Sequence, residues 1–261
     1  MNRLLIFVIL FCFAGAFAKN SNSERTKRHR HTTIAEAPLT ISNGRLTALL
    51  LGSPSADVLQ LSDTAFFKGS EPFAGVHIMQ LDCDSLIQFN RCNNKDSAVV
   101  RSFYSVNGVN FRRCYFASAP DSLVAIRLTA DKDGSVSIRV ELTSAFPHRV
   151  KASKGQLTMF AHTANATTRA QRVCCILRLE HDNGIATVAD TALQLTGATA
   201  ATIYIVARTS GNSGLAAEGT DFVSRTINDA WHTVNFSYDE FLTRHVAYFR
   251  KQNTPSANQK Q

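Results

Sequence analysis

From residue 45 to residue 208 the chain repeats one pattern: short apolar runs, many of them alternating with polar residues, broken by turn residues. Val136, Ile138, Val140 and Leu142 alternate with Ser137, Arg139 and Glu141. That two-residue period is the mark of a strand with one face in the core and the other in water. Residues 77–81 alternate in the same way. Residues 46–51 are apolar almost throughout and predict a buried strand. Between 99–106 and 109–117 stands Asn107-Gly108, the dipeptide that best suits a two-residue hairpin turn. Asp131-Lys132-Asp133-Gly134 predicts a second tight turn, joining 123–130 to 135–142. Further strands are predicted at 58–61, 157–162, 173–179, 185–188, 193–195 and 201–207. Strands at this density predict a mainly β protein, a large antiparallel β-sandwich of the super-sandwich kind.

The tail switches period. Val223, Ile227, Ala230, Trp231 and Val234 recur at the spacing of one helix face. A second helix is predicted to start at Ser237, because Ser237-Tyr238-Asp239-Glu240 is a capping box. Tyr238, Phe241, Leu242, His245, Val246 and Phe249 would line its apolar side. The fold expected is therefore a sandwich with two short C-terminal helices.

The start of the chain belongs to export rather than to the fold. Arg3 precedes an apolar stretch from Leu4 to Phe17, and Ala16-Phe17-Ala18 is a small-residue cleavage site. Residues 1–18 read as a signal peptide cut after Ala18. Residues 19–31 form a basic leader. Arg25-Thr26-Lys27-Arg28 has the form read by furin-like proteases, so the leader is either a propeptide cut after Arg28 or a plain basic tail. The folded domain is expected at 32–252, and 253–261 is expected to be a disordered tail. No later stretch is apolar and long enough to cross a bilayer, so the expected location is extracellular or the secretory lumen, with no membrane contact after signal cleavage.

Charge changes this picture little. The chain has 261 residues and a formal net charge of +8. The signal carries one base and residues 19–28 four bases and one acid, so removal of both leaves +4. Without a basic stripe interleaved with aromatics, no nucleic-acid partner is expected. Export permits disulfides. Five cysteines follow the signal, Cys83, Cys92, Cys114, Cys174 and Cys175, and an odd count leaves one thiol over. Cys83 and Cys92 flank a short polar segment and are the expected pair. Cys174 and Cys175 are adjacent in a strand and must point to opposite faces. Asn165-Ala166-Thr167 and Asn235-Phe236-Ser237 are glycosylation sequons at Asn165 and Asn235. No metal-ligand spacing is present and no cofactor is expected.

The motifs resemble a known family. "ISNGRLTALLLG" and "VLQLSDTAFFKGS" are similar to the opening of glycoside hydrolase family 95, the inverting α-L-fucosidases. Asn43-Gly44-Arg45-Leu46, Leu59-Gln60-Leu61, Asp63-Thr64 and Gly69 carry that likeness. "FASAPD" at 116–121, "LTGATAATIYIVARTS" at 195–210 and "SYDEFLTRHVAYFRK" at 237–251 resemble later family segments, in the family's order. The chain departs from the pattern where Ala65-Phe66 replaces a tryptophan and Ser42 replaces a glycine. The likeness covers only the family's amino-terminal β-domain. The catalytic acid and the groups that activate water lie in an (α/α)6 barrel with no counterpart here, so the resemblance carries over no catalytic residue.

The residues themselves agree. Hydrolysis with inversion needs two carboxyls about 6.5–9.5 Å apart across a sugar, and Asp82/Asp84 and Asp131/Asp133 read as solvated loop acids. There is no G-x-S-x-G, P-loop or H-E-x-x-H motif. His162 and His181 read as surface or capping histidines. Asn43 and Arg45 suit hydrogen bonds to a sugar or a partner domain, and suit a structural turn equally well. Phe66-Phe67 is either a stacking platform for a sugar or a pair with a ring in the core. The function expected is that of a secreted, non-catalytic domain related to the N-terminal domain of α-L-fucosidases. It would bind a carbohydrate such as a fucosylated glycan, or a protein partner, or a second copy of itself. The alternative is an α-L-fucosidase acting on terminal α-1,2-linked fucose, alone or with a separate catalytic barrel. A surface shaped to meet a barrel should leave apolar area exposed.

Overall fold

Apolar residues that alternate along a strand bury one face, and two such sheets bury both faces against each other. A computed structural model describes residues 38–66, 71–83, 86–163, 170–210 and 221–253, all within one compact unit, Thr33–Gln261. The expected signal cleavage at Ala18, the leader cut at Arg28, Phe67, the Asn165 sequon and the tail after Asn253 lie outside the described residues.

In chain order the strands are β1 (Leu39–Ser42), β2 (Leu46–Ser53), β3 (Ala56–Asp63), β4 (Ala74–Gln80), β5 (Leu86–Asn94), β6 (Val99–Val106), β7 (Val109–Ser118), β8 (Leu123–Ala130), β9 (Val136–Thr143), β10 (His148–Ser153), β11 (Gln156–His162), β12 (Arg172–Asp182), β13 (Ile185–Ala189), β14 (Ala192–Ala198) and β15 (Ala200–Thr209). Helices α1 (Asp221–His232) and α2 (Tyr238–Asn253) follow. One sheet has seven strands in the order β1-β2-β3-β4-β9-β14-β13, the other eight in the order β10-β11-β12-β15-β8-β7-β6-β5. The fold is the mainly β antiparallel sandwich that the pattern predicts, with two short C-terminal helices.

The two sheets differ in their outer faces, and the sequence shows it. β9 and β4 of the seven-stranded sheet alternate strictly between buried and half-buried positions. In the eight-stranded sheet β12 reads VCCIL and β15 reads AATIYIVA because both faces are covered. Cys175, Leu177, Ile203 and Ile205 face the other sheet. Cys174, Ile176, Tyr204 and Val206 form a second core with Phe222, Ala230, Tyr238 and Phe241 of the helices. The adjacent cysteines thus serve two different cores, as their strand position requires.

Turns follow their residues. Asn107 and Gly108 both have positive φ, 51° and 79°, and close the β6–β7 hairpin. The Asp131–Gly134 turn is tight, but it carries the chain from one sheet to the other: β9 pairs with β4 and β14, not with β8. At the start of α2, Ser237 N and Oγ donate to Glu240 Oε2 at 2.7 and 2.8 Å, and Glu240 N donates back to Ser237 Oγ at 3.4 Å. These bonds hold the Glu240 carboxyl below its ordinary pKa.

Candidate functional site

α1 has two stripes of residues about 100° apart, and the fold buries the less apolar one. Phe222, Thr226 and Ala230, with Thr233 just beyond, sit on the outer face of the eight-stranded sheet. The threonines hide their hydroxyls on their own helix: Thr226 donates to Phe222 O at 2.7 Å and Thr233 to Ala230 O at 2.6 Å. Arg208 of β15 fixes the orientation with two bonds to Asp229, Nε–Oδ2 at 2.7 Å and Nη2–Oδ1 at 3.1 Å. Of the face predicted to be buried, Ala230 is buried and the larger side chains point outward. Ile227, Trp231 and Val234 are exposed, Trp231 at 66%, and Val223 is half-buried. The hydropathy ranking of the side chains misled the assignment, since a threonine bonded to its own helix behaves as an apolar residue. For α2 the predicted face is the observed one: Tyr238, Phe241 and His245 are buried.

Two grooves follow from this orientation. One, of about 240 Å³, runs between the outward stripe and the sheet, with Gln156, Ile176 and Arg178 as its floor and Ile227, Trp231 and Val234 as its wall. The other, of about 600 Å³, opens where α1 begins and is bounded by the ends of β10, β11 and β12. Phe160 is exposed there at 40%.

The Asn43 loop is a structural turn. Asn43 Oδ1 accepts from the backbone N–H groups of Arg45 and Leu46 at 3.1 and 2.8 Å, and its Nδ2 donates to Ser118 O at 3.3 Å. Arg45 pairs with buried Asp63, whose other oxygen accepts from Ala65 N at 2.8 Å. Asn43 thus ties the β1–β2 turn to the end of β7, and Arg45 ties the start of β2 to the end of β3. Phe66 is fully buried, with its ring edge-on to Phe73 and Phe146 at 5.9 and 5.4 Å. Of its two readings, the core ring is the one observed, and a buried ring has no face to offer a sugar.

Among the described residues, each buried carboxylate has a cationic partner. Asp57 of β3 accepts from Arg91 Nη2 at 3.2 Å, Arg113 Nη1 at 3.0 Å and the Tyr115 hydroxyl at 2.5 Å. Arg113 also donates to Tyr104 Oη at 3.0 Å and to Pro54 O at 3.0 Å, and Tyr104 donates to Gln80 Oε1 at 2.6 Å. This network ties the sheets together through the core. Burial and the Asp57 charge push the Tyr115 hydroxyl far above its ordinary pKa. Asp121, after β7, accepts from Ser118 Oγ at 2.6 Å and Arg244 Nε at 3.0 Å, with His232 Nε2 3.4 Å away. No motif pointed to the Asp57 network, because a lone Asp and two Arg on strands read as surface charge. Asp131, in a turn as expected, is exposed and bonded to Asn110.

The expected Cys83–Cys92 bridge is not formed. Cys92 is an exposed free thiol, and Cys83 is half-buried at the edge of the core. Cys92 lies within strand β5 (Leu86–Asn94) rather than at the end of a loop, and six residues of strand carry it about 20 Å from Leu86. Asn235 is exposed in the turn between the helices. No helix of the described residues is long and apolar enough to cross a membrane.

Comparison with known proteins places this architecture. The family profile described as "Glycosyl hydrolase family 65, N-terminal domain" matches residues 65–213, more than half of the chain. The chain belongs to that family. A family 65 N-terminal domain is a coarser identity than the family 95 likeness, which the profile does not reproduce. Alpha-L-fucosidase 2 of Arabidopsis thaliana is 25% identical over 154 residues, covering 41% of this chain and 18% of that protein. A putative kojibiose phosphorylase from human microbiome superposes with a TM-score of 0.54 at 10% identity, covering 80% of this chain and 35% of that one. At that identity the superposition shows a shared fold. The family 65 N-terminal domain described here spans well under half the length of either protein.

Proposed function

We propose that the chain is a secreted, non-catalytic β-sandwich that docks a partner protein, the partner being the catalytic barrel that the likeness to family 95 implies. One observation carries this reading: Ile227, Trp231 and Val234 stand outward along α1 beside a groove, while the stripe with two threonines is buried. Large apolar side chains aligned on one outward helix face are the usual mark of an interface. The length of the relatives supports it, since the matched region is 18% of the fucosidase and 35% of the phosphorylase. The rest of those chains is what such a face would meet, in cis or in trans.

The alternative reading, a fucosidase, fits the same arrangement only as an assembly. The relative's name favours terminal fucose as the substrate of the whole. Asp57, Asp63 and Asp121 are each held by arginine, so the acid and the base would come from the partner. A photo-reactive benzophenone amino acid in place of Trp231 tests the docking. Crosslinking from position 231, with Thr187 on the far sheet as control, is expected to capture a glycoside hydrolase barrel in the secreted material. Crosslinks only to the chain itself, or equal capture from position 187, would overturn it.

A further inference from the structure

The groove at the start of α1 has a composition of its own. Phe160 lies on its floor with its ring half in solvent. The strand register places basic side chains around that ring. Arg149 of β10 is directly opposite Phe160, and His162 and Arg172 are opposite each other one pair further along the same face. Directly opposed side chains on paired strands are about 5 Å apart and diagonal ones about 7–8 Å. The Arg172 guanidinium stands 5.7 Å from the centroid of Phe222, which closes the groove on the helix side. His148 adds a fourth basic group at the rim, and no acidic residue is among the described residues that line the groove.

We infer that this groove is a binding site for an acidic saccharide, a sugar chain bearing sulfate or carboxylate groups. A pyranose packs its C–H face on an aromatic ring and sends its substituents outward in the plane of that ring. Charges on the sugar then lie at the periphery, where Arg149, His162 and Arg172 stand. The planar guanidinium groups of Arg149 and Arg172 match sulfate and carboxylate oxygens in paired hydrogen bonds. A nucleotide carries its charge on a backbone remote from the stacked base, and one ring among close cations fits it less well. The site is separate from the Trp231 stripe and does not depend on the docking reading.

The test is titration calorimetry at about 0.15 M salt, where weak surface attraction is screened. The probes are a heparin hexasaccharide, a hyaluronan hexasaccharide, maltohexaose and single-stranded dT6. The acidic hexasaccharides are expected to bind and maltohexaose is not. Phe160→Ala and Arg149→Glu, both at exposed positions, are each expected to weaken binding by about tenfold or more. Lys132→Glu, in the β8–β9 turn, is expected to leave it unchanged. Thermal melting of each variant confirms that it is folded. Failure of both acidic saccharides to bind would overturn the proposal. So would dT6 binding as tightly with no effect of Phe160→Ala, which would make the groove a general polyanion patch.

Discussion

Arg113 of β7 and Asp57 of β3 face each other across the sandwich, fully buried, with Arg113 Nη1 3.0 Å from Asp57 Oδ2. Neither charge meets water, and each is held by further bonds to Arg91, Tyr115, Tyr104 and Pro54. Removing one partner strands the other in the core. Asp57→Ala is expected to cost about 3–5 kcal/mol in urea unfolding. Replacing Asp57, Arg91 and Arg113 together by apolar residues of similar size should recover most of that loss, because the desolvation cost of the charges goes with them. A loss below about 1 kcal/mol for Asp57→Ala would show that the pair is not buried as described.

The orientation of α1 gives an opposed pair of outcomes. Phe222 is buried and Trp231 exposed. Phe222→Ala is expected to destabilise by about 3–5 kcal/mol, and Trp231→Ala to stay within about 0.5 kcal/mol. Trp231 is the only tryptophan, so its fluorescence should be readily quenched by iodide in the free protein. The reverse ranking of the two variants would put the helix in the orientation that hydropathy alone predicts.

Much of the fold was legible, and the gaps have a common cause. The strands predicted from alternation or apolar runs all exist. The three strands that the pattern did not yield, β1, β5 and β10, are all edge strands. An edge strand has a free side and needs little apolar content, and β10 is HRVKAS. β5, read as a polar loop, produced the mistaken Cys83–Cys92 pairing. The site was less legible. Asn43 and Arg45 were found by likeness, yet their partners Ser118 and Asp63 are 75 and 18 residues away in sequence. The groove around Phe160 depends on which strand lies beside which, and one residue's neighbours across a sheet are not written in its own segment.

Thiol chemistry separates the cysteines. Burial pushes the Cys174 thiol up to about 11, and that of Cys175, behind it in the inner core, higher still. At pH 8 both would be thiols with no path for a reagent. Iodoacetamide is expected to label Cys92 within the native state and Cys174 and Cys175 only on unfolding, as peptide mass mapping would show. Prompt native labelling of Cys175 would contradict the two-core arrangement.

His245 makes stability depend on pH. Its Nε2 donates to the Ser97 carbonyl at 2.9 Å, its ring stacks on Phe116 at 4.9 Å, and its Nδ1 is buried with no hydrogen-bond partner among the described residues. Burial lowers its pKa below the ordinary histidine value, against the pull of neighbouring carbonyls and Asp121. The unfolded chain then binds the proton more readily than the folded one. The His245 contribution is full above about pH 6.5 and is lost as pH falls from there through the lowered folded value. His245→Gln should flatten that part of the stability profile. A wild-type profile that rises between pH 7 and pH 5 would mean the histidine is charged in the fold.

The proposed role is binding without hydrolysis. Fucose release from an α-1,2-fucosylated oligosaccharide by the purified, folded protein tests it most directly. No release above that of the heat-unfolded protein is expected, because every buried carboxylate described is paired with arginine. Release that survives repurification and is lost on changing one carboxylate to its amide would contradict it and place an active site in this domain.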